Sequence, residues 1–168
     1  MMNKENMKMK KIMLLIGLTL LANSARAQTQ EFGGGMKVEM MFTGGNLGGD
    51  TITKTKSTGV HASLIVNTWG EDKIAVLFQI DHFRSCIGTA TNYVGYGTAS
   101  NTYDLYLKTS GVMPTPANSS AVATLMLTSS SAYLHFTDGF NAITSNSNGP
   151  CQYSLTGDSQ INLKKTNE

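Results

Sequence analysis

The chain has 168 residues, with 13 Lys+Arg against 11 Asp+Glu and charged residues at only 14 %. That length is typical of one domain, and so even a charge balance excludes the concentrated basic surface that nucleic-acid binding needs. Two cysteines and three histidines do not form a set of ligands at the spacing a metal site needs.

The first element in chain order reads as an export signal. Lys4, Lys8, Lys10 and Lys11 form a positive start, and Ile12 to Ala22 is an apolar run broken only by Gly17 and Thr19. Ala25-Arg26-Ala27 follows, which places small residues where a signal peptidase reads them and predicts cleavage before Gln28. The run of 11 residues is about half of the roughly 20 needed to cross a bilayer. Removal of residues 1–27 leaves 141 residues. The segment carries five basic residues and one acidic one, so the remainder has 8 basic and 10 acidic residues and a net charge of −2. The expected organisation is therefore a signal peptide over 1–27, a flexible glycine-bearing lead over 28–35 and one β domain over 36–165. The expected location is the periplasm or the extracellular space, without stable membrane insertion.

Short alternating runs between turn residues predict an all-β domain. Residues 36–43 set Met36, Val38, Met40 and Phe42 on one face and Lys37 and Glu39 on the other. Residues 44–50 are a Gly-rich turn, and 51–57 a polar edge strand with a threonine ladder at Thr51, Thr53 and Thr55. Val60, Ala62, Leu64 and Val66 share one parity, the chain turns at 70–72, and Ile74, Val76, Phe78 and Ile80 repeat the pattern. This is the strongest hairpin signal, and Ala75 and Leu77 make its second strand apolar on both faces. Further strands are predicted over 86–94 and 102–108 around a Gly95-Tyr96-Gly97 turn, then over 121–128 and 131–137. A last hairpin is predicted over 151–156 and 159–164. About eight to ten strands at this spacing fit an antiparallel sandwich or a small closed barrel, with helix confined to the signal.

Cys86 and Cys151 are the only cysteines. In an oxidising compartment their default state is a disulfide. Closing a loop of 65 residues' separation is worth about 4 kcal/mol on the loop-entropy model.

The sequence contains no Gly-x-Ser-x-Gly elbow, His-Glu-x-x-His motif, phosphate loop or EF-hand. No catalytic residue, metal site or cofactor is therefore expected. Asp81 and Asp104 are a carboxylate pair of the kind strands offer by accident, and His61, His82 and His135 are scattered. The expected recognition surface is the tyrosine-rich hairpin with Tyr93, Tyr96, Asn101, Tyr103 and Tyr106, joined by Trp69. Tyr and Asn offer contact area and hydrogen bonding at small entropic cost.

These observations predict an exported, soluble, non-enzymatic binding protein whose partner is an unknown protein or small ligand. In size and plan the chain is similar to the small one-disulfide barrels that inhibit lysozyme in the bacterial periplasm, which implies a hydrolase-inhibitor role. Their Ser-Gly-x-x-Tyr inhibitory loop has no match, because Ser110-Gly111 is followed by Val112-Met113-Pro114. The alternatives are a small outer-membrane β-barrel and a secreted enzyme with an unrecognised site. The Lys164-Lys165 tail and sparse aromatics speak against the membrane barrel.

Overall fold

The computed structural model describes residues 28–47, 50–70, 72–82, 86–146 and 149–166, leaving aside the side chains of 42–47, 50–55 and 146. The expected signal peptide and the threonine ladder's side chains lie outside the described residues.

Among the described residues ten strands follow in order: β1 (Thr29–Leu47), β2 (Asp50–Thr68), β3 (Lys73–Ile80), β4 (Thr89–Ala99), β5 (Thr102–Leu107), β6 (Ala123–Leu127), β7 (Ser131–Phe136), β8 (Phe140–Asn146), β9 (Gly149–Leu155) and β10 (Ser159–Lys165). Strands β1 to β7 pair antiparallel in sequence order. Strand β10 then joins β7 to β1, at Phe32↔Lys165 and Gly33↔Lys164, and closes an eight-stranded barrel. The all-β expectation holds, and of sandwich and barrel the chain forms the barrel.

The pleat explains why these segments close into a ring. Along each strand one parity is apolar and points inward. Phe32, Leu64, Val76, Phe78, Leu105, Leu125, Leu134 and Leu163 are all buried on that parity. An eight-stranded barrel is just wide enough for such side chains to fill it, and each fully buried one stabilises the fold by about 1.5–3 kcal/mol. The opposite parity carries Glu31, Lys37, Glu39, Lys73, His135 and Lys164, none of them buried. The same parity also carries Ile65, Leu77, Val94 and Tyr106, so the outer wall mixes charged and apolar positions.

Strands β8 and β9 lie outside the ring. Strand β9 pairs with the far half of β1 from Glu39↔Ser154 to Phe42↔Cys151, and β8 pairs with β9. Strands β9 and β10 therefore run in the same direction along one edge of β1, end to end. The expected hairpin over 151–156 and 159–164 does not form. Strands β7 and β8 are likewise consecutive pieces of one path. Together the four make a long bent hairpin whose inner half completes the barrel and whose outer half folds over its end. The bend is made by Gly139 (φ +82°) and Asp158 (φ +65°). A Cβ on Gly139 would lie 2.3 Å from the Leu155 carbonyl oxygen, so only glycine fits.

The folded-over hairpin brings Phe140 onto Phe78 and Phe136, with ring centroids 5.5 and 5.3 Å apart. The Ile87 amide donates to the Ser145 carbonyl, and the Tyr153 hydroxyl donates to the Ile87 carbonyl. A Cys86–Cys151 disulfide fastens the hairpin to the segment after β3. This end of the barrel is closed.

Other boundaries differ from the sequence pattern. Residues 29–35, expected to be flexible, are the first part of β1, and Phe32 is fully buried there. Backbone pairing with β2 carries the strand through three glycines that have no pattern of their own. Cys86 does not open a strand, since β4 begins at Thr89. The segments 51–57 and 59–66 are one strand, β2, and β3 pairs with it only from Ala62 onward. Among the described residues its first part therefore pairs with β1 alone, as the lysines there suggested.

Candidate functional site

The tyrosine-rich hairpin forms, as β4 and β5, but its members divide between three environments. Tyr93 points into the barrel, 3 % exposed, with its ring 6.4 Å from Phe136. Burial pushes its phenol above the ordinary value of 10.0, and a hydrogen bond with the Thr91 side chain partly offsets that. Tyr96 and Tyr106 stand on the outer wall, edge to face at 5.6 Å. The loop from Lys108 to Val122 folds back over them. Pro114 is buried, and its carbonyl accepts a hydrogen bond from the Tyr96 hydroxyl at 2.9 Å. The Lys73 ammonium sits 5.4 Å from the Tyr96 ring centre. Tyr106 is 6 % exposed. These three tyrosines are therefore packing elements with little surface to offer a ligand.

Tyr103 and Asn101 differ. They reach the open end of the barrel, opposite the disulfide. The chain runs straight through Gly95-Tyr96-Gly97, where a turn was expected, and reverses at Ser100-Asn101 instead. Gly95 faces inward, and a Cβ there would fall 2.5 Å from Ile74 Cγ1. Asn101 supplies the left-handed residue of the turn (φ +55°), a conformation Asn tolerates. The turn is held firmly. The Leu127 amide donates to the Asn101 carbonyl at 2.8 Å, and the Thr102 hydroxyl donates to the Ser100 carbonyl.

Facing it is the β2–β3 turn, joined by a hydrogen bond from the Gly97 amide to the Asp72 carbonyl at 2.8 Å. Between the two turns lies an open cleft of about 450 Å³ lined by Asp72, Gly97, Thr98, Ala99, Ser100, Asn101 and Tyr103. The carboxylate of Asp72, the amide of Asn101 and the hydroxyls of Ser100 and Tyr103 have no hydrogen-bond partner among the described residues. The ring of Tyr103 packs against the core from above, so the cleft floor has one apolar surface. Trp69, in the same turn as Asp72, is 55 % exposed. Of the residues expected from sequence, the structure brings Asn101 and Tyr103 into the cleft lining, and Trp69 stands in the neighbouring turn outside that lining. Sequence pattern missed Asp72, Gly97, Thr98 and Ser100, which are ordinary turn residues until the fold places two turns side by side.

The remaining candidates lie apart. His61 meets Asp81 at 2.9 Å and His135 meets Asp158 at 2.8 Å, each pair on the surface, and His82 is exposed past the end of β3. No group of three or more His, Cys, Asp or Glu residues suited to a metal occurs among the described residues. Asp104 stays on the outer wall beside the Thr124 hydroxyl. Ser110 and Gly111 belong to the loop folded against that wall. Compared with known proteins, the chain matches no family model, no curated protein and no solved structure.

Proposed function

We propose that this chain is an exported, non-enzymatic binding module that holds a small ligand in the cleft at the open end of its barrel. The observation that carries this reading is the contrast between a filled interior and a polar, unfilled rim. A barrel packed with side chains has no room for a guest. The cleft, by contrast, collects an acceptor carboxylate, an amide and hydroxyls on a turn pinned by backbone hydrogen bonds, and rigid support of this kind favours binding. One carboxylate among hydroxyls is suited to holding a ligand, whereas acid–base turnover ordinarily needs a second titratable group in reach.

Export is supported by the charged and apolar start of the sequence and by the Cys86–Cys151 bond, which is compatible with an oxidising compartment. No helix among the described residues is long and apolar enough to cross a membrane. The charged positions on the outer wall, Glu31, Lys37, Glu39, Lys73 and Lys164, favour this reading over an outer-membrane barrel. A hydrolase-inhibitor role would use the same rim against a larger partner. The Ser110-Gly111 loop gives that role no support, because Val112-Met113-Pro114 follows where the inhibitory motif carries its Tyr.

The test is cell fractionation followed by capture from the native compartment with the wild-type protein and with Gly97→Val, which fills the cleft. Recovery from the soluble exported fraction, with capture that depends on Gly97, is the expected result. Heat-modifiable migration from a membrane fraction, or capture indifferent to the substitution, overturns the reading.

A further inference from the structure

The chemistry of the same cleft narrows the ligand. We infer that it takes a neutral carbohydrate, one or two sugar rings in size; this inference rests on the cleft being the binding site. The argument runs on donors and acceptors. Asp72 in its ionised form only accepts hydrogen bonds, while Ser100, Thr98 and Tyr103 can donate or accept and Asn101 does both at once. An anion such as phosphate meets the Asp72 carboxylate as a like charge, and no Lys or Arg among the described residues lines the cleft. A simple cation or amine satisfies Asp72 but leaves the Asn101 amide hydrogens without an acceptor. A metal lacks ligands, because Asp72 is the only carboxylate in the lining among the described residues. Neighbouring sugar hydroxyls both donate and accept: two of them can share the Asp72 oxygens while their lone pairs take the Asn101 and hydroxyl donors.

Size and shape agree. A volume of about 450 Å³ falls within the roughly 300–1,000 Å³ usual for small-molecule sites. The floor offers the half-buried ring of Tyr103 for the C–H face of a pyranose, and Gly97 and Ala99 lower the wall so that a ring can lie down. A Cβ on Gly97 would sit 3.6 Å from the Asp72 side chain. That is ordinary contact, so a larger residue there obstructs the cleft without straining the fold.

The experiment is an amide-resolved NMR titration of the exported protein with glucose, galactose, mannose, N-acetylglucosamine and their short oligomers, with inorganic phosphate and methylamine as comparison probes. At least one sugar is expected to shift amides of Asp72 and residues 97–103, saturably, while phosphate and methylamine do not. Asp72→Asn should weaken that sugar about tenfold or more, the effect of losing a charge-assisted hydrogen bond. Asn101→Gly keeps the left-handed turn and removes the amide, and it should also weaken binding. Gly97→Val should abolish it with an unchanged melting temperature. Silence from every sugar, or shifts elsewhere on the barrel, overturns the carbohydrate assignment. If sugars are silent but native-compartment capture still depends on Gly97, the cleft remains the binding site with another ligand. If capture ignores Gly97, the cleft reading falls as well.

Discussion

At the scale of single residues, two positions are dictated by the barrel's interior. Gly95 has no space for a side chain, since a Cβ would meet Ile74 Cγ1 at 2.5 Å and Leu105 Cδ2 at 2.9 Å. Overpacking of this kind costs about 1–3 kcal/mol. Gly95→Ala should therefore lower the unfolding free energy by that amount, read as a lower urea midpoint at an unchanged slope of the transition. Nothing in the sequence marked Gly95 apart from Gly97, although one is filled in by neighbours and the other opens onto the cleft. Both lie on the same face of β4; the difference is height along the strand, since Gly95 stands level with Ile74 and Leu105 while Gly97, two residues on, stands beside Asp72. Tyr93 is the second such position. Its phenol is held neutral by burial in the folded state, while in the unfolded chain it ionises near 10.0. The unfolded state then binds fewer protons than the folded one, so stability falls as pH rises above that value. Denaturant titrations between neutral and strongly alkaline pH should show this loss, and Tyr93→Phe should reduce it.

At the scale of elements, the bent hairpin is the least independent part of the molecule. Its outer half, β8 and β9, is held by pairing to β1, by Phe140 on the aromatic cluster and by the disulfide. Replacing both Cys86 and Cys151 by Ser should cost up to about 4 kcal/mol. Hydrogen exchange should locate the loss unevenly, with amides of β8 and β9 exchanging faster at once and those of β3 and β4 following only the global change. Equal acceleration everywhere would show that the bridge acts on the unfolded chain alone. The hairpin over β2 and β3 was legible in advance because its register is set by two alternating runs and a short turn. The β9–β10 path was not. Both segments alternate correctly and the Gly157-Asp158 turn between them looks like a hairpin, but β1 offers a single long edge on which both can lie. Choice of partner is a property of the assembled sheet, and local pattern does not carry it.

At the scale of the whole molecule, the all-β class followed from alternation, and so did most of the inward-facing residues. Closure did not, because only two residue pairs join β1 to β10 and one of them involves a glycine. The candidate cleft was half legible: aromatic residues stood out in the sequence, yet most of them are used to build the wall. The polar turn residues that line the cleft stood out less. The filled interior has its own consequence. A hydrophobic fluorophore should show no saturable binding to the native protein, in contrast to barrels that carry a guest, whereas bright binding would mean that the interior opens in solution.

The disulfide also changes how the protein responds to being cut. Cys86 and Cys151 close a covalent ring that contains β4 to β8 and the long outer loop, where Val112 is 81 % exposed. A protease cleaving in that loop opens the ring but leaves one molecule. The nicked protein should migrate as a single species without reductant and separate into two fragments with it. In a protease-rich surrounding the bridge thus acts as a tether for a damaged chain: β1 to β5 and β6 to β10 stay together after the backbone between them is gone.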